Sequence, residues 1–277
     1  MKNLNEKTVL ITGGGGLLGT EHGYACATAH ATVVLVDIVE ERLEEARASI
    51  LARVPDATIH TRICDITSED AVAALKLDLD AAVGFIECLV NNAAVNSTPV
   101  KSKNIADQEE KHSGDFATFP LSLWDREVAV GLTGAFLMCR AFGPSMAEQK
   151  RGSIVNISSD LAVIAPDHKI YEDVPDMEDV TVFKAVTYSV VKTGLVGLTR
   201  YLATFWAHRG VRCNALVPGG VWNGHDEEFT ARQAARAPLN RMAYKDDFYD
   251  AIVFLCGEGS SYMNGHVMVM DGGRTIW

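Results

Sequence analysis

Residues Thr8–Gly19 read TVLITGGGGLLG, and this stretch decides the fold that the sequence predicts. An apolar β-type run, Thr8–Ile11, leads directly into a glycine-rich loop. Glycine is needed where a backbone turns tightly and approaches a ligand with no Cβ in the way. A strand, such a loop and a helix beginning near Leu17 would aim helix N–H groups at an anionic pyrophosphate. The stretch therefore predicts the first unit of a dinucleotide-binding fold.

The next predicted strand ends in a carboxylate at the spacing that a dinucleotide site requires. Ala31–Val36 is apolar and β-type, and Asp37 follows it, about 20 residues beyond the glycines. A glycine-rich loop alone is also typical of a flexible turn, but this second strand argues against that alternative. A carboxylate at Asp37 can bind the adenosine ribose hydroxyls and repels a 2′-phosphate. Asp37 therefore predicts NAD rather than NADP as the cofactor.

Strand and helix patterns alternate along the rest of the chain. After Asp37 the predicted elements are helix Val39–Leu51, strand Ala57–Ile63, a helix capped within Thr67–Asp70, strand Ile86–Val90, a helix capped at Ser122, strand Ser153–Ile157, a helix over Tyr188–His208, strand Val211–Val217, a helix begun by Asp226–Glu228, a helix over Phe248–Leu255 and strand Val267–Met270. Such alternation predicts an α/β fold with a parallel sheet and right-handed crossovers.

Composition and charge exclude several classes of function. The 277 residues are 48% hydrophobic and 22% charged, as in a globular protein with a sizeable core. A net charge of −11 argues against nucleic acid or an anionic membrane as a partner. The six cysteines are scattered without a metal-like cluster, and no signal-peptide core or bilayer-spanning run is present. We expect a cytoplasmic protein with a small-molecule substrate and no metal.

Tyr188 and Lys192 are four residues apart in a predicted helix, so they lie on one face. Free tyrosine loses its proton near pH ~10, and a nearby cation lowers that pKa. A tyrosine of this kind can give or take a proton at an alcohol or a carbonyl. The alternative is an amphipathic helix that carries an incidental pair.

Taken together and in order, the motifs of the chain resemble the short-chain dehydrogenase/reductase family over nearly the whole length. They are the loop Thr12–Gly19, Asp37, Asp65, Asn91-Asn92-Ala93-Ala94, Ser158-Ser159, Tyr188 with Lys192, Pro218-Gly219 and Asp271-Gly272-Gly273. The resemblance implies a single Rossmann-type domain over residues 1–277, with a doubly wound parallel sheet of about seven strands and helices on both faces. It also implies that Ser159 bonds the reacting oxygen, Tyr188 is the acid/base, and Lys192 lowers the pKa of Tyr188 and binds the nicotinamide ribose.

The same resemblance implies a set of cofactor-binding residues and shows where the chain departs from the family. The set is Gly13, Gly16, Leu17, Leu18, Gly19, Asp37, Asp65, Ile66, Asn92, Ala93, Tyr188, Lys192, Pro218, Gly219, Val221 and Asn223. Leu17 and Ala94 stand where relatives carry glycine, and Asn223 stands where many carry threonine. Gly131 is the more serious departure, because many relatives have an asparagine there that holds a water relaying protons to the lysine. If the side chain fits, Gly131→Asn should leave turnover similar or raise it.

Two polar insertions, near 96–119 and 166–186, are longer than the minimal family member needs. Both leave the carboxyl edge of the sheet, where ligands of open α/β folds bind, so we expect them to shape a substrate site. A solvated flap or padding at a subunit interface is the alternative. The sequences of Asn156–Leu161 and Asn223–Glu228 resemble those of a narrower group of bacterial enzymes associated with flagellin glycosylation and nonulosonic acid synthesis.

The sequence thus predicts an NAD-dependent oxidoreductase acting on a secondary alcohol or ketone of a sugar or sugar derivative. One alternative is a reductase of 3-oxoacyl thioesters, and another is a catalytically weak NAD-binding sensor or scaffold. We expect a homodimer or homotetramer, because relatives pair through the helices that correspond to Trp124–Phe142 and Tyr188–His208. The apolar residues expected at these contacts are Val130, Ala135, Leu137, Met138, Leu198, Leu202, Phe205 and Trp206.

Overall fold

The computed structural model describes residues 3–95, 114–171 and 181–277, and a parallel sheet lies at its centre. The strands are β1 (Thr8–Thr12), β2 (Thr32–Asp37), β3 (Ile59–Ile63), β4 (Cys88–Asn91), β5 (Gly152–Ile157), β6 (Val211–Pro218) and β7 (Val267–Met270). Their order across the sheet is β3-β2-β1-β4-β5-β6-β7, with every pairing parallel. The predicted seven-stranded, doubly wound parallel sheet is confirmed.

Helices cover the sheet and begin largely where the capping residues predict. They are α1 (Leu17–Thr28), α2 (Glu40–Arg53), α3 (Glu69–Ala82), α4 (Leu121–Val128), α5 (Gly134–Glu148), α6 (Val186–Phe205), α7 (Glu227–Ala234) and α8 (Tyr249–Cys256). Ser68 and Asp226 cap α3 and α7 through side-chain hydrogen bonds, as expected. The expected cap at Ser122 is wrong, because Pro120 holds the N-cap position of α4. The fixed φ of proline suits a helix start.

Strand residues alternate between two cores, one on each face of the sheet. Val9 and Val33 pack with α1, α2 and α8 on one face, whereas Leu10 and Val34 pack with α3 and α5 on the other. The strand order reverses between β1 and β4, so a crevice opens there at the carboxyl ends of the strands. A ligand of an open α/β sheet binds in such a crevice.

Between α4 and α5 the chain forms a π-helical turn, Ala129–Thr133, where the sequence predicted one continuous helix. Gly131 lies in this turn, and a Cβ added to it would stand 2.5 Å from Cγ1 of Val191. Together α4, the turn and α5 form one helical stretch in the described part of the chain that is long and apolar enough to cross a membrane. Met138 and Phe142 of that stretch are fully buried against the sheet, as in a core helix.

The expected subunit contacts need correction. Of those residues, Ala135, Leu137, Met138 and Leu202 are buried within the protein's own core, because α5 and α6 turn them toward the sheet. Phe205 is exposed as expected, and these helices also expose Phe136, Val190 and Tyr201. Most of the two insertions, residues 96–113 and 172–180, lies outside the described residues.

Candidate active site

The glycine-rich loop turns sharply between β1 and α1. Gly13 has a φ of +62°, and a Cβ there would lie 2.8 Å from the Cα of Ala93. At Gly19, a Cβ would reach 2.0 Å from the carbonyl oxygen of Gly13. Both positions therefore require glycine. Leu17 begins α1 in helical conformation, so the absence of glycine at that position places no strain on the loop.

Hydrogen bonds join this loop to the end of β4 at the crevice. The side-chain amide of Asn92 donates to the carbonyl oxygens of Thr12 and Gly13 at 3.0 and 3.1 Å. The backbone N–H groups of Asn92 and Ala93 both donate to the Thr12 hydroxyl at 3.1 Å. The predicted cofactor residues of β1 and β4 are thus held side by side.

Asp37 lies at the carboxyl end of β2 and faces the same loop. Its carboxylate accepts backbone N–H bonds from Gly15 at 3.2 Å, Ile38 at 2.8 Å and Val39 at 3.2 Å. Arg42 of α2, an exposed residue, packs its Cβ against Gly15 of the same loop. A glycine loop at a helix N-terminus with a carboxylate beside it fits the pyrophosphate and ribose of a nicotinamide dinucleotide.

The other predicted cofactor residues follow the ends of neighbouring strands. Exposed Asp65, beyond β3, accepts hydrogen bonds from the N–H and hydroxyl of Thr67, while Ile66 is buried. Beyond β6, the N–H of Gly219 donates to Met270 at 2.9 Å, and Val221 pairs with Ala243. Asn223 is exposed, and no hydrogen bond within the described ranges joins it to the rest of the predicted site.

The three predicted catalytic residues come together at the ends of β5 and α6. Ser159 is buried, shares a hydrogen bond with Tyr188, and donates from its hydroxyl to the Asp160 carboxylate at 2.8 Å. The Lys192 ammonium donates to the carbonyl oxygen of Ile157 at 2.8 Å and lies 5.8 Å from the centre of the Tyr188 ring. A serine hydroxyl, a phenol and an ammonium group therefore share one buried site.

Burial dominates the protonation of this site. It raises the pKa of Tyr188, and the nearby Asp160 adds to the effect, whereas the hydrogen bond with Ser159 opposes it. The pKa of Tyr188 is thus raised, opposite to the lowering expected beside Lys192, because the loss of solvent dominates. The effect of Lys192 itself stays a prediction. Burial also lowers the pKa of Lys192 to about 8, with a further contribution from the positive charge of Lys184.

Three charged residues of the site went unrecognised in the sequence. Arg274 forms a buried ion pair with Asp160, 2.9 Å from Nη1 to Oδ2, and its guanidinium also donates to Gln233. Lys184 places its ammonium 3.8 Å from the centre of the Tyr188 ring. For Asp160, the available signal was its position next to Ser159. Arg274 and Lys184 follow no helical or strand spacing that would have indicated them.

A dinucleotide cradle beside a serine–tyrosine–lysine cluster defines a nicotinamide-dependent oxidoreductase. Residues 7–171 match the family described as short chain dehydrogenase, and residues 177–275 match the one described as Enoyl-(Acyl carrier protein) reductase. The chain belongs to the short-chain dehydrogenase family.

Curated relatives and solved structures match it over nearly their full length. D-threitol dehydrogenase of Mycolicibacterium smegmatis is 32% identical, over 99% of this chain and 94% of that protein. Galactitol 2-dehydrogenase of Rhizobium johnstonii is 29% identical, over 99% and 97%. The crystal structure of a gluconate 5-dehydrogenase from Burkholderia cenocepacia, in complex with NADP and tartrate, is 25% identical with a TM-score of 0.82, over 100% and 98%.

Proposed function

We propose that this protein is an NAD-dependent dehydrogenase that interconverts a secondary alcohol and a ketone on a polyol or sugar derivative. The observation that carries the proposal is the gathering of Ser159, Tyr188 and Lys192 at the carboxyl edge of the sheet. That edge also holds the glycine loop and Asp37, so substrate carbon and nicotinamide would meet there.

Each residue of the candidate site has a distinct role in this proposal. The nicotinamide, when bound, accepts or returns the hydride. Ser159 bonds the reacting oxygen, and Tyr188 takes its proton during oxidation and returns it during reduction. Asp160, fixed by its ion pair with Arg274, accepts a bond from the Ser159 hydroxyl and so orients it. Lys192 binds the ribose and supports the charged form of Tyr188.

The names of the two relatives and the solved structure described above support the substrate class. Threitol, galactitol and gluconate are all open-chain polyhydroxyl compounds, so we infer a substrate with several hydroxyl groups. The likeness to enzymes of flagellin glycosylation and nonulosonic acid synthesis stays a prediction within that class. A panel of tetritols, hexitols, sugar acids, amino sugars and nonulosonic-type sugars, run against 3-oxoacyl thioesters, tests it by NADH absorbance. Turnover confined to the acyl thioesters would contradict the proposal and favour the reductase alternative.

The choice of NAD over NADP is proposed from Asp37, whose carboxylate repels a 2′-phosphate. Arg42 is the cation that would act the other way, since it packs on the same loop. Titrating both cofactors by the fluorescence of the four tryptophans measures the preference. Asp37→Ala should reduce the preference for NADH over NADPH, and Arg42→Ala should leave NAD binding unchanged. Tighter binding of NADPH than NADH by the wild type would contradict this assignment.

The sensor alternative is separated from catalysis by one variant. Tyr188→Phe should abolish turnover while NAD binding persists, because only the phenol oxygen is removed. If wild type and variant are equally inert across the whole panel and still bind NAD tightly, the sensor or scaffold reading replaces ours.

We also propose a cytoplasmic homodimer or homotetramer. Phe136, Tyr201 and Phe205 expose 45–63% of their surface on α5 and α6, and the rings of Tyr201 and Phe205 stack 5.8 Å apart. Large exposed apolar groups in one region are typical of subunit contacts. Light scattering at micromolar concentration should give a dimer or tetramer, and Phe205→Ser should weaken it. A monomeric wild type would refute the assembly.

A further inference from the structure

A second lysine lies closer to the catalytic tyrosine than the one that the family pattern indicates. Lys184 precedes α6, and its ammonium is 3.8 Å from the centre of the Tyr188 ring, against 5.8 Å for that of Lys192. A cation over an aromatic face is attracted by the negative face of the ring. The attraction strengthens when the phenol becomes a phenolate, because a full negative charge then lies nearby.

Charged groups from several elements face this ammonium. Glu127 of α4 and Asp160 after β5 both raise the pKa of Lys184, but burial is the larger effect and lowers it to about 8. Lys192 contributes from α6, where its positive charge and that of Lys184 repel each other. Burial, followed by the proximity of Tyr188, raises the pKa of Tyr171 to about 12.

Glu127 is itself fixed in place. It is buried, and its carboxylate accepts a hydrogen bond from the hydroxyl of Thr187, the residue directly before Tyr188. The negative charge that acts on Lys184 therefore comes from a carboxylate anchored to the same helix as the tyrosine. This arrangement connects α4, Lys184 and the first turn of α6.

The space that an asparagine relay would use is filled in this chain. Gly131 offers no side chain, and Cγ1 of Val191 stands 2.5 Å from where a Cβ would be. No asparagine relay to Lys192 can therefore form at this position, and Lys184 is a second cation beside the Tyr188 ring.

We propose that Lys184 is a positioning residue that holds the Tyr188 ring and stabilises its phenolate during alcohol oxidation. The inference rests on the proposed function. In that step the carbinol C–H bond breaks and its hydride goes to the nicotinamide. The hydroxyl proton goes to the Tyr188 oxygen, and the carbonyl double bond forms. Lys184 exchanges no atom with the substrate, and its charge lowers the energy of the phenolate that accepts the proton.

The first test needs neither cofactor nor substrate. The ultraviolet absorbance of tyrosinate is titrated in wild type and in Tyr188→Phe, and the difference gives the pKa of Tyr188. In Lys184→Arg, whose guanidinium stays charged at the high pH where Tyr188 titrates, that pKa should fall by about one unit relative to Lys184→Met, each variant being referenced to the same protein carrying Tyr188→Phe. Lys184→Met should stay close to wild type in this titration, because a lysine with a pKa of about 8 is neutral at that pH. Lys150→Arg, at an exposed lysine on the opposite edge of the sheet, should leave the pKa of Tyr188 unchanged. Equal pKa values of Tyr188 in Lys184→Arg and Lys184→Met overturn the proposal.

The second test is the pH profile of kcat/KM with the best substrate of the panel. Lys184→Met should lower kcat about tenfold and move the acid limb of oxidation to higher pH, with Lys184→Arg close to wild type. If Lys184→Met raises KM only for substrates with a carboxylate and leaves the acid limb of the pH profile unchanged, Lys184 binds the substrate carboxylate. That result would overturn the proposal. Circular dichroism checks folding, and Lys184→Gln replaces Lys184→Met if the latter does not fold. An inactive wild type would instead contradict the proposed function, and the absorbance titration would still decide the role of Lys184.

Discussion

Replacing Gly131 with asparagine perturbs a close contact between the π turn and α6. The new Cβ would lie 2.5 Å from Cγ1 of Val191, whereas carbon atoms prefer about 3.5–4.0 Å. Val191 is buried on a helix and is β-branched, so its side chain cannot rotate aside at low cost. Overpacking of this kind costs roughly 1–3 kcal/mol of unfolding free energy.

A double-mutant cycle isolates that contact. Val191→Ala alone removes two buried methyl groups and should cost about 1–2 kcal/mol. Combined with Gly131→Asn it makes room for the asparagine, so the pair should be more stable than the sum of the single effects by about 1–2 kcal/mol. Urea unfolding followed by tryptophan fluorescence measures all four free energies. Additivity within about 0.5 kcal/mol, or a Gly131→Asn variant as stable as wild type, would refute the reasoning.

The same geometry corrects the expected effect on turnover. The asparagine side chain does not fit beside Val191, so the condition attached to the sequence-based prediction for Gly131→Asn is not met. Higher turnover is expected only in the double variant with Val191→Ala, where the asparagine gains space.

Two further perturbations follow from buried charge. Asp160→Asn leaves the guanidinium of Arg274 buried without its carboxylate, so it should lower the free energy of unfolding by about 3–5 kcal/mol, measured in urea. The double variant Asp160→Leu with Arg274→Met removes both charges and should lower it far less. Equal losses in the two variants would contradict this reasoning. Burial lowers the pKa of His22 to about 4, below its ordinary 6.5, so the neutral ring contributes stability above pH 6.5 that is lost as pH falls towards 4. His22→Leu should flatten the melting temperature across that window, and an unchanged slope would contradict it.

Local sequence patterns predicted the bounds and caps of elements whose structure depends mainly on their own residues. Val267–Met270 has the predicted bounds, and Ser68 and Asp226 cap the helices that they precede. The meeting of Ser159, after β5, with Tyr188, on α6, was implied by the family resemblance and not by local spacing. The π turn was not predictable, since its extra residue depends on how α4 and α5 pack rather than on apolar spacing.

The missed parts of the site depend on distance along the chain and on burial. Arg274 is 114 residues from Asp160, and no local pattern connects them. Lys184 reaches Tyr188 from a segment outside the helix, where a spacing of four carries no geometric meaning. The direction of the Tyr188 pKa was wrong because spacing reveals the neighbouring cation but not the loss of solvent.

The number of residues in the π turn at Ala129–Thr133 sets the orientation of α4 and therefore affects the site. Each residue of an α-helix advances the rotation by about 100°, so one extra residue resets the phase of everything before it. Deleting one residue from the turn would give a continuous helix and rotate α4 by that angle relative to α5. Glu127 would then swing away from Thr187. A single-residue deletion in the turn would therefore remove the hydrogen bond between Glu127 and Thr187 that anchors the carboxylate.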